Sequence, residues 1–529
     1  MNKKGTSYDE IPYPSIPFPE SHPERLCAVA RLFGLDAPAP AEARVLELGC
    51  SMGGNLIAIS QINPGARCVG IDASATQIAE GWKTVEALGL KNVQLRHLDI
   101  LDIDDSIGEF DYIISHGVYS WVPAHIQEKM LQICNRHLAR NGIAYISYNT
   151  YPGWHIRGIV RDMMFYRGMQ FSDAQARLEQ AKSLVDFVAH ASPNAETPYQ
   201  QLLQGEFRQF GRMSDYYLHH EFLEEHNQPV YFHEFAQRLA VNGLQYLGEA
   251  DFSTMISSNF SPEVAKTLHG LGAHDILQME QYMDFVRCRY FRKTLICRSS
   301  IELQRAIDSS VVQNLLLASD AVPATQEPAL DPSQRIAYEA TGGGKLTCRA
   351  PLTKLALRAL RREWPMPIAF ADLLAESLAQ AAQQGYPLDE AGAASTLSGD
   401  LLTGIGAGVV EWRVTPVVYT TSPVSEPSTS PWARLQAAQG YKVTNLRGEM
   451  ITLDEIHRQT LRHLDGTRSL ADLTTILVQA LQAGEFVLHP ENEKTVITEE
   501  AQMRKLLDSA LGKVLENLAR QAFIAAHAA

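Results

Sequence analysis

Residues Val45 to Leu56, VLELGCSMGGNL, give the strongest indication of the fold. Its first four residues are mostly apolar and predict a buried strand, and the glycines that follow predict a tight loop that enters a helix. Glycine in such a loop lets the backbone approach a ligand closely, and open α/β sheets bind ligands beyond the carboxyl ends of their strands. The stretch therefore predicts a cofactor loop at the edge of an α/β sheet.

Six further apolar runs predict the other strands of this sheet. Helix-like segments separate most of them, which is typical of βαβ units and of a largely parallel sheet. Residues 155–240 have a helical pattern and are interpreted as an insertion before the last two strands. The runs are CVGID (68–72), VQLRHL (93–98), DYIIS (111–115), IAYISYN (143–149), LQYLGEA (244–250) and RKTLICR (292–298).

A chain of 529 residues is long enough for several domains. We predict that residues 1–300 form the α/β domain and that residues 301–335 form a helix and a Pro-rich linker. The remainder repeats one plan, in which two helix-like segments precede a strand-like one. This order favours two α+β units of the winged-helix type, at residues 336–420 and 430–529.

Composition disfavours several classes of partner. The formal net charge is −14, which opposes binding to nucleic acid because such binders carry a basic surface. No apolar run approaches the roughly 20 residues that span a membrane. The seven cysteines are scattered and contain no Cys-x-x-Cys pair, which is typical of reduced thiols. We therefore predict a cytoplasmic protein with no membrane partner.

The chemistry of the loop favours S-adenosylmethionine over a dinucleotide. A dinucleotide fingerprint would have glycine at position 51, which is Ser51 here. Glu47 ends the strand, and its carboxylate suits the cationic sulfonium and ammonium groups of S-adenosylmethionine. We predict that Glu47, Gly49, Ser51, Gly53 and Asn55 bind this cofactor.

Two more acidic residues follow the next two strands. Asp72 ends the second strand, where a carboxylate can accept hydrogen bonds from both ribose hydroxyls. Asp99 follows the third strand, near the expected adenine. Taken singly, each could be a helix cap or a solvated loop residue. Together with the loop they predict a cofactor site that also includes Ala73 and Ile100.

The sequence resembles the class I methyltransferases, whose first three motifs match Glu47 to Gly53, Asp72 and Asp99. It is also similar to bacterial methyltransferases with a regulatory domain, the set that includes the rickettsial protein lysine methyltransferases. The resemblance implies a Rossmann-like seven-stranded domain with helical insertions, a regulatory-domain-like segment at about 215–300, and C-terminal winged-helix domains. The matching stretches are YDEIPYPSIPF, SHPERL, SHGVYSWVP, SYNTYPGW, HHEFLEEHNQPVYFHEF, GLQYLGEADF, EQYMDFVRCRYFRKTLICR and LDGTRSL.

The same resemblance implies a protein substrate, a homodimer formed through the insertions, and S-adenosylhomocysteine as the product. It also favours an N-terminal arm that folds over the cofactor as a lid, so Tyr8 is predicted to contact the cofactor. The alternative for this arm is packing on the edge of the sheet.

Aromatic residues cluster after the fourth and fifth strands, beside the expected methyl group. An aromatic channel would desolvate a lysine ammonium and hold methylammonium products. We predict catalytic roles for one set, in which His116 also contacts the cofactor, and substrate binding for another, although aromatic residues at strand ends can also simply pack. The catalytic set is His116, Tyr119, Tyr148 and Asn149, and the substrate-binding set is Trp121, Tyr151 and Trp154.

The run HHEFLEEHNQPVYFH, residues 219–233, invites a metal hypothesis because helical neighbours can share a face. It lacks the His-Glu-x-x-His order of zinc helices, so a solvated helical face is preferred and no metal is predicted.

Three hypotheses for function follow. The first is methylation of lysine side chains in proteins, since the large accessory mass favours a macromolecular acceptor. The second is methylation of a small molecule. The third is a regulator that binds S-adenosylmethionine without turnover, against which the complete set of Glu47, Asp72 and Asp99 argues.

Overall fold

A seven-stranded sheet is the centre of the fold, in a computed structural model that describes residues 15–191, 197–272, 275–325, 330–386, 390–487 and 499–526. Its strand order is β3-β2-β1-β4-β5-β7-β6. The first five strands pair in parallel, and β7 is antiparallel to both of its neighbours. The strands are β1 (Arg44–Leu48), β2 (Arg67–Asp72), β3 (Val93–His97), β4 (Phe110–Ser115), β5 (Leu138–Asn149), β6 (Leu244–Glu249) and β7 (Phe291–Arg298).

All seven predicted strands are present, which confirms the predicted α/β class. The strand order reverses between β1 and β4, and open α/β sheets bind ligands at the carboxyl ends of the strands at such a switch point. The loop that follows Leu48 lies there.

Helices cover both faces of the sheet, which explains why its strands are continuous apolar runs. Val45 and Leu46 are adjacent and fully buried, and they belong to separate core clusters on opposite faces. The covering helices are α1 (Pro23–Leu32), α2 (Gly54–Ile62), α3 (Ala75–Ala87) and α4 (Ala124–His137).

The predicted helical insertion is present between β5 and β6. Its helices have a core of their own, which includes Val160, Met164, Val185 and Leu203. Two further helices separate β6 from β7. The helices are α5 (Gly153–Gly168), α6 (Ala174–His190), α7 (Pro198–Phe210), α8 (Asp215–Phe222), α9 (Phe232–Val241), α10 (Pro262–Gly272) and α11 (Ile276–Arg287).

The segment predicted as helix and linker is partly a strand. Residues Leu316–Ala318 form β8, which pairs with Ile368–Ala369 and Glu411–Arg413, so this segment belongs to the next unit. Pro323 lies on an edge strand, where its missing N–H breaks no sheet hydrogen bond. The Pro-rich signal therefore marks an edge strand and not only a linker.

Two helical units with short strands complete the chain. In the first, the helix over residues 390–406 packs against the helices over 351–363 and 370–383. The second has its own core around Leu477 and Leu507. The first contains β8 (Leu316–Ala318), β9 (Val322–Pro323), β10 (Ile336–Glu339), β11 (Lys345–Cys348), α12 (Pro351–Glu363), β12 (Ile368–Ala369), α13 (Phe370–Gln383), α14 (Glu390–Gly406) and β13 (Glu411–Arg413). The second contains α15 (Pro431–Gln439), β14 (Lys442–Thr444), β15 (Met450–Thr452), α16 (Glu455–Leu461), α17 (Leu470–Gln482) and α18 (Glu500–Arg520).

The first C-terminal unit contacts helix α1 through a buried carboxylate. Glu24 is 5% exposed, and it accepts hydrogen bonds from the Val414 backbone N–H (2.6 Å) and from the N–H and hydroxyl of Thr415. The guanidinium of Arg25 lies over the ring of Trp412 at 4.5 Å. Among the residues that the structure describes, no helix is long and apolar enough to cross a membrane.

Candidate active site

One cavity of about 960 Å³ opens at the carboxyl ends of the parallel strands. This volume is near the upper end of ligand pockets, about 300–1,000 Å³, so there is room for a cofactor and a second ligand. The glycine loop and the ends of β2, β4 and β5 form one wall, and the insertion forms the opposite wall.

Glu47 lies at the base of the cavity and is 3% exposed. Burial raises the pKa of its carboxyl group to about 8. Its Oε1 accepts a hydrogen bond from Asn55 Nδ2 at 2.9 Å, whereas its Oε2 has no hydrogen-bond partner among the described residues. A buried carboxylate oxygen without a partner carries a desolvation cost that a cationic ligand group would offset. This oxygen therefore fits the ammonium or sulfonium of S-adenosylmethionine.

The glycine loop adopts the close approach that the sequence predicts. Gly49 and Gly53 have φ values of +74° and +78°, which favour glycine. A Cβ atom on Gly49 would lie 2.4 Å from the Val118 side chain, so no larger residue fits without displacing Val118. Gly53 precedes α2, and the Gly54 N–H donates to the Ser15 hydroxyl at 2.7 Å.

Asp72 ties the loop to the end of β2. Its carboxylate accepts from the backbone N–H of Ser51 at 2.8 Å and of Ser74 at 2.9 Å. Ser74 caps α3 by accepting from the Gln77 N–H, while the Gln77 side-chain oxygen accepts from the Ser51 hydroxyl. Asp72 thus shapes the loop as well as lining the cavity.

The expected adenine end of the cavity is lined by Ala73, Asp99 and Ile100. Asp99 also caps a short 3-10 helix, because its Oδ1 accepts from the Leu101 N–H at 2.9 Å. Asp99 is therefore a cap, one of its two alternatives, and it also lines the cavity, while its contact with the cofactor stays a prediction.

The N-terminal arm covers the loop. Ser15, Ile16 and Phe18 line the cavity, and the Phe18 N–H donates to Asn55 Oδ1 at 3.0 Å. Tyr8 lies outside the described residues.

His116 follows β4 and lines the cavity beside the arm. Its ring stacks on Phe18, and its Nδ1 lies 2.8 Å from the Tyr145 hydroxyl. Burial lowers the pKa of His116 to about 4, so its imidazole is neutral near pH 7.

The structure divides the other predicted acceptor residues into two groups. Asn149 and Trp121 line the cavity, and Trp154 packs edge to face behind Trp121, with ring centroids 6.2 Å apart. Asn149 is 2% exposed, and its amide donates to Asn227 at 3.1 Å.

Tyr119, Tyr148 and Tyr151 are not among the described residues that line the cavity. Tyr119 and Tyr148 are buried in the core around Phe235, and the Tyr148 hydroxyl bonds Thr294 at 3.1 Å. Tyr151 stacks on His155 at 4.1 Å. We therefore assign these three tyrosines no contact with a substrate, because packing occupies their rings.

The preference for a solvated face at residues 219–233 is wrong for its first half. His219 and His220 are 4% and 5% exposed and lie on the cavity wall, because the insertion folds back over the strand ends. His220 Nδ1 lies 2.7 Å from Glu224 Oε1. The ligand atoms of His219, His220 and Glu224 all lie within 4.8 Å of one another, so this group could hold a metal ion.

Several lining residues were not predicted as site residues, although the segments that contain them were recognised. Phe165, Met169 and Arg177 belong to the insertion, and Tyr290 and Phe291 precede and begin β7. No local pattern marks them, because their place on the cavity depends on how the insertion packs on the sheet.

Family comparisons match three parts of the chain. A methyltransferase domain matches residues 45–142, a predicted methyltransferase regulatory domain matches residues 214–298, and the C-terminal winged helix domain of PKMT matches residues 425–523. Together with the sheet order and the cavity, they define a class I methyltransferase that uses S-adenosylmethionine.

Relatives from Rickettsia cover nearly the whole chain. The uncharacterized protein RP789 of Rickettsia prowazekii is 34% identical over 527 residues, which is 98% of this chain and 93% of that protein. The structure of PKMT2 from Rickettsia typhi in complex with AdoHcy is similar with a TM-score of 0.86 and 30% identity, covering 97% of this chain and all of that one. The chain belongs to the family of RP789 and PKMT2.

Proposed function

We propose that this methyltransferase acts on lysine side chains of proteins. The observation that carries the proposal is the lining of the cavity, in which Asn149, Trp121 and the His220–Glu224 pair share one space with the cofactor loop. Aromatic surface and a carboxylate suit a cationic side chain and its methylated products. The similarity to PKMT2 supports a protein acceptor.

The cofactor site is part of the same proposal. Glu47 Oε2 would pair with the cationic end of S-adenosylmethionine, Asp72 would accept from the ribose hydroxyls, and Asp99 with Ile100 would flank the adenine. Gly49, Ser51, Gly53, Asn55 and Ala73 would shape the site around it. When bound, the cofactor supplies a methyl group to the lone pair of the acceptor nitrogen, and the sulfur keeps the electrons of the broken bond.

The protein's own part in this reaction is to bind, orient and exclude water. Phe18 closes the side of the cavity where His116 lies, and Trp121 lines the acceptor side with Trp154 fixed behind it. Holding the acceptor in line with the methyl group supplies most of the rate enhancement expected for such a displacement.

The test uses purified protein, radiolabelled S-adenosylmethionine and a bacterial lysate, resolved by gel and by small-molecule chromatography. Label in discrete protein bands, recovered as methyl-lysine after hydrolysis, supports the proposal. Asp72→Asn is the matched inactive control, because it keeps the size of the side chain and removes the charge. Label in the small-molecule fraction alone would establish a small-molecule acceptor instead, and binding without transfer would favour a regulator.

We further propose that the protein works in the cytoplasm as a homodimer. The seven cysteines are thiols, which suits a reducing compartment. Large apolar side chains are exposed on the insertion helices, where Tyr166 is 75% and Phe187 is 69% exposed, and a second copy would cover them. Light scattering of the purified protein gives its mass in solution, and the mass of a monomer would contradict the proposed homodimer.

A further inference from the structure

Asn55 lies in the first turn of α2 and is 4% exposed. Its side-chain amide makes three hydrogen bonds, which use both of its N–H donors. Nδ2 donates to Glu47 Oε1 at 2.9 Å and to the Ser21 hydroxyl at 3.0 Å, and Oδ1 accepts from the Phe18 N–H at 3.0 Å. The amide therefore has no N–H left for a ligand, and its partners are placed to contact the cofactor in its stead.

These partners fix the direction in which the amide faces. If the amide were turned over, Nδ2 would face the Phe18 N–H and Oδ1 would face the Glu47 carboxylate, and both contacts would be repulsive. Ser21 closes the arrangement, because its hydroxyl also donates to the Phe18 carbonyl at 2.9 Å. The amide nitrogen of Asn55 is therefore held toward Glu47.

The hydrogen bond from Asn55 makes the two oxygens of Glu47 unequal. Oε1 is held by the amide, whereas Oε2 is buried and has no hydrogen-bond partner among the described residues. Glu47 lines the cavity at the end of β1. With Oε1 held in this way, Oε2 is the oxygen that remains for a ligand.

The groups around Glu47 differ in their effect on its charge. Burial raises the pKa of Glu47 and the Asp72 carboxylate raises it further, whereas the hydrogen bond from Asn55 lowers it. Cys50 and Cys68 also interact with Glu47, and burial raises the pKa of both thiols, so they stay neutral near pH 7. Asn55 thus supports the ionised carboxylate, which is the form that attracts a cation.

We propose that Asn55 is a positioning residue for S-adenosylmethionine and acts through Glu47. Its amide holds Oε1 so that Oε2 meets the ammonium of the cofactor, and its bond to Phe18 keeps the N-terminal arm at the same site. This role rests on the proposed function, in which Glu47 receives the cationic end of the cofactor.

The experiment is a double-mutant cycle in the full chain, with Asn55→Ala, Glu47→Gln and the double variant. Titration calorimetry at about pH 7.5 measures affinity for S-adenosylhomocysteine and for 5′-methylthioadenosine, which has the same adenosine and sulfur but lacks the amino acid part. The matched control is Asn445→Ala, because Asn445 is also 4% exposed and its Nδ2 also donates to a carboxylate, that of Glu449, at 2.9 Å.

For Asn55→Ala we expect the dissociation constant of S-adenosylhomocysteine to rise by roughly 10-fold, the scale of a hydrogen bond to a charged group. In the Glu47→Gln background the same change should cost only about 2-fold, because residues that act through one another are not additive. Affinity for 5′-methylthioadenosine should also fall by only about 2-fold, the share that passes through the arm. This retained affinity shows that the variant is folded.

The dependence on pH gives a further readout, which a merely structural role would not move. Without the hydrogen bond from Asn55, the pKa of Glu47 should be higher. The pH at which the affinity for S-adenosylhomocysteine levels off should therefore be higher in Asn55→Ala than in the wild type. If Asn55→Ala does not fold, Asn55→Ser, which keeps one donor, takes its place in the cycle.

Three outcomes would overturn the proposal. One is additivity, in which Asn55→Ala costs the same in the wild type and in the Glu47→Gln background. Another is an equal loss of affinity for both ligands, and the third is a loss in Asn445→Ala as large as that in Asn55→Ala; both indicate a structural role. If Glu47→Gln itself leaves the affinity for S-adenosylhomocysteine unchanged, the proposed role of Glu47 fails, and the role of Asn55 fails with it.

Discussion

The ring of Phe18 lies flat on the imidazole of His116, with ring centroids 3.7 Å apart and planes inclined by 16°. This contact joins the N-terminal arm to the end of β4 at one side of the cavity. Since Phe18 is also hydrogen-bonded through its N–H to Asn55, the arm is attached at two points of the candidate cofactor site.

Phe18→Ala should weaken binding of S-adenosylhomocysteine. Aromatic pairs contribute about 0.5–1.5 kcal/mol beyond burial, so the dissociation constant should rise by roughly 2- to 10-fold. Titration calorimetry measures it, and Phe285→Ala, at a residue 48% exposed on α11, is the control. An unchanged affinity would show that the arm does not cover the cofactor.

Glu47 should make cofactor binding depend on pH. Its pKa is about 8 because of burial, so it is protonated in the ligand-free protein below that pH. A cationic group beside it favours the carboxylate, so binding releases a proton. The dissociation constant for S-adenosylhomocysteine should therefore fall as the pH rises from 6 to 8 and level off above 8. Calorimetry at several pH values checks this.

Glu47→Gln is the control for that prediction. Ionisation of the ligand affects the binding curves of the wild type and the variant equally, so a difference between the two curves comes from Glu47. The variant should bind more weakly, with a flatter dependence on pH, and parallel curves would contradict the role of Glu47.

The same residue should lower the stability of the ligand-free protein at alkaline pH. The folded-state pKa of about 8 lies above the ordinary value of 4.5, so the folded state binds more protons between these values. Stability contributed by the neutral form is complete below pH 4.5 and is lost as the pH rises through 8. Glu47→Gln should therefore raise the melting temperature at pH 8 more than at pH 5. A larger rise at pH 5 would contradict the assigned burial.

Trp121→Ala should weaken binding of the acceptor and leave the affinity for the cofactor unchanged. Trp121 lines the cavity and packs edge to face on Trp154, and the proposed function assigns it to the acceptor. The KM for protein acceptors in a lysate fraction should rise by about 10-fold, on the scale of one aromatic contact of about 1.4 kcal/mol. Trp121→Phe should restore part of the loss. Equal changes in KM and cofactor affinity would place Trp121 at the cofactor instead.

Arg292→Met should destabilise the fold. The Arg292 guanidinium is fully buried in β7 and pairs with Glu249 at 2.7 Å, Asp284 at 2.8 Å and Glu280 at 3.0 Å. Its removal takes the ion pair from Glu280 and leaves Glu249 and Asp284 to share the single cation of Arg289, at a cost of about 3–5 kcal/mol in the free energy of unfolding. Urea titration measures this, with Arg136→Met, at an exposed ion pair, as the control. A loss as small as that of the control would contradict the prediction.

The glycine loop and the strand ends could be predicted because their signals are local. Glu47, Asp72 and Asp99 each follow a recognisable apolar run, and parallel strands bring their ends together. The sequence could not show which of the neighbours Tyr148 and Asn149 faces the cavity. Adjacent residues of a strand face opposite sides, and only the packing of Phe235 shows that Tyr148 enters the core while Asn149 meets the cavity.

The cavity wall formed by the insertion could not be predicted from the sequence, for a different reason. His219 and His220 have the polarity of a solvated helix, and they are buried because α8 folds back over strands that lie far away in the chain. The linker at residues 301–335 was misassigned in part because β8 has only three residues, too few for a periodic pattern.

The contact between Glu24 and Thr415 connects the C-terminal half to the cofactor loop. Glu24 lies three residues after Ser21, whose hydroxyl accepts from Asn55 Nδ2 at 3.0 Å, and the same amide donates to Glu47. Thr415 and Glu47 are thus linked through the hydrogen bonds of Glu24, the short backbone stretch from Glu24 back to Ser21, and the hydrogen bonds of the Asn55 amide. A chain cut before β8 would lose Val414 and Thr415, which would leave the buried carboxylate of Glu24 without these donors, and it should therefore bind the cofactor more weakly than the full chain.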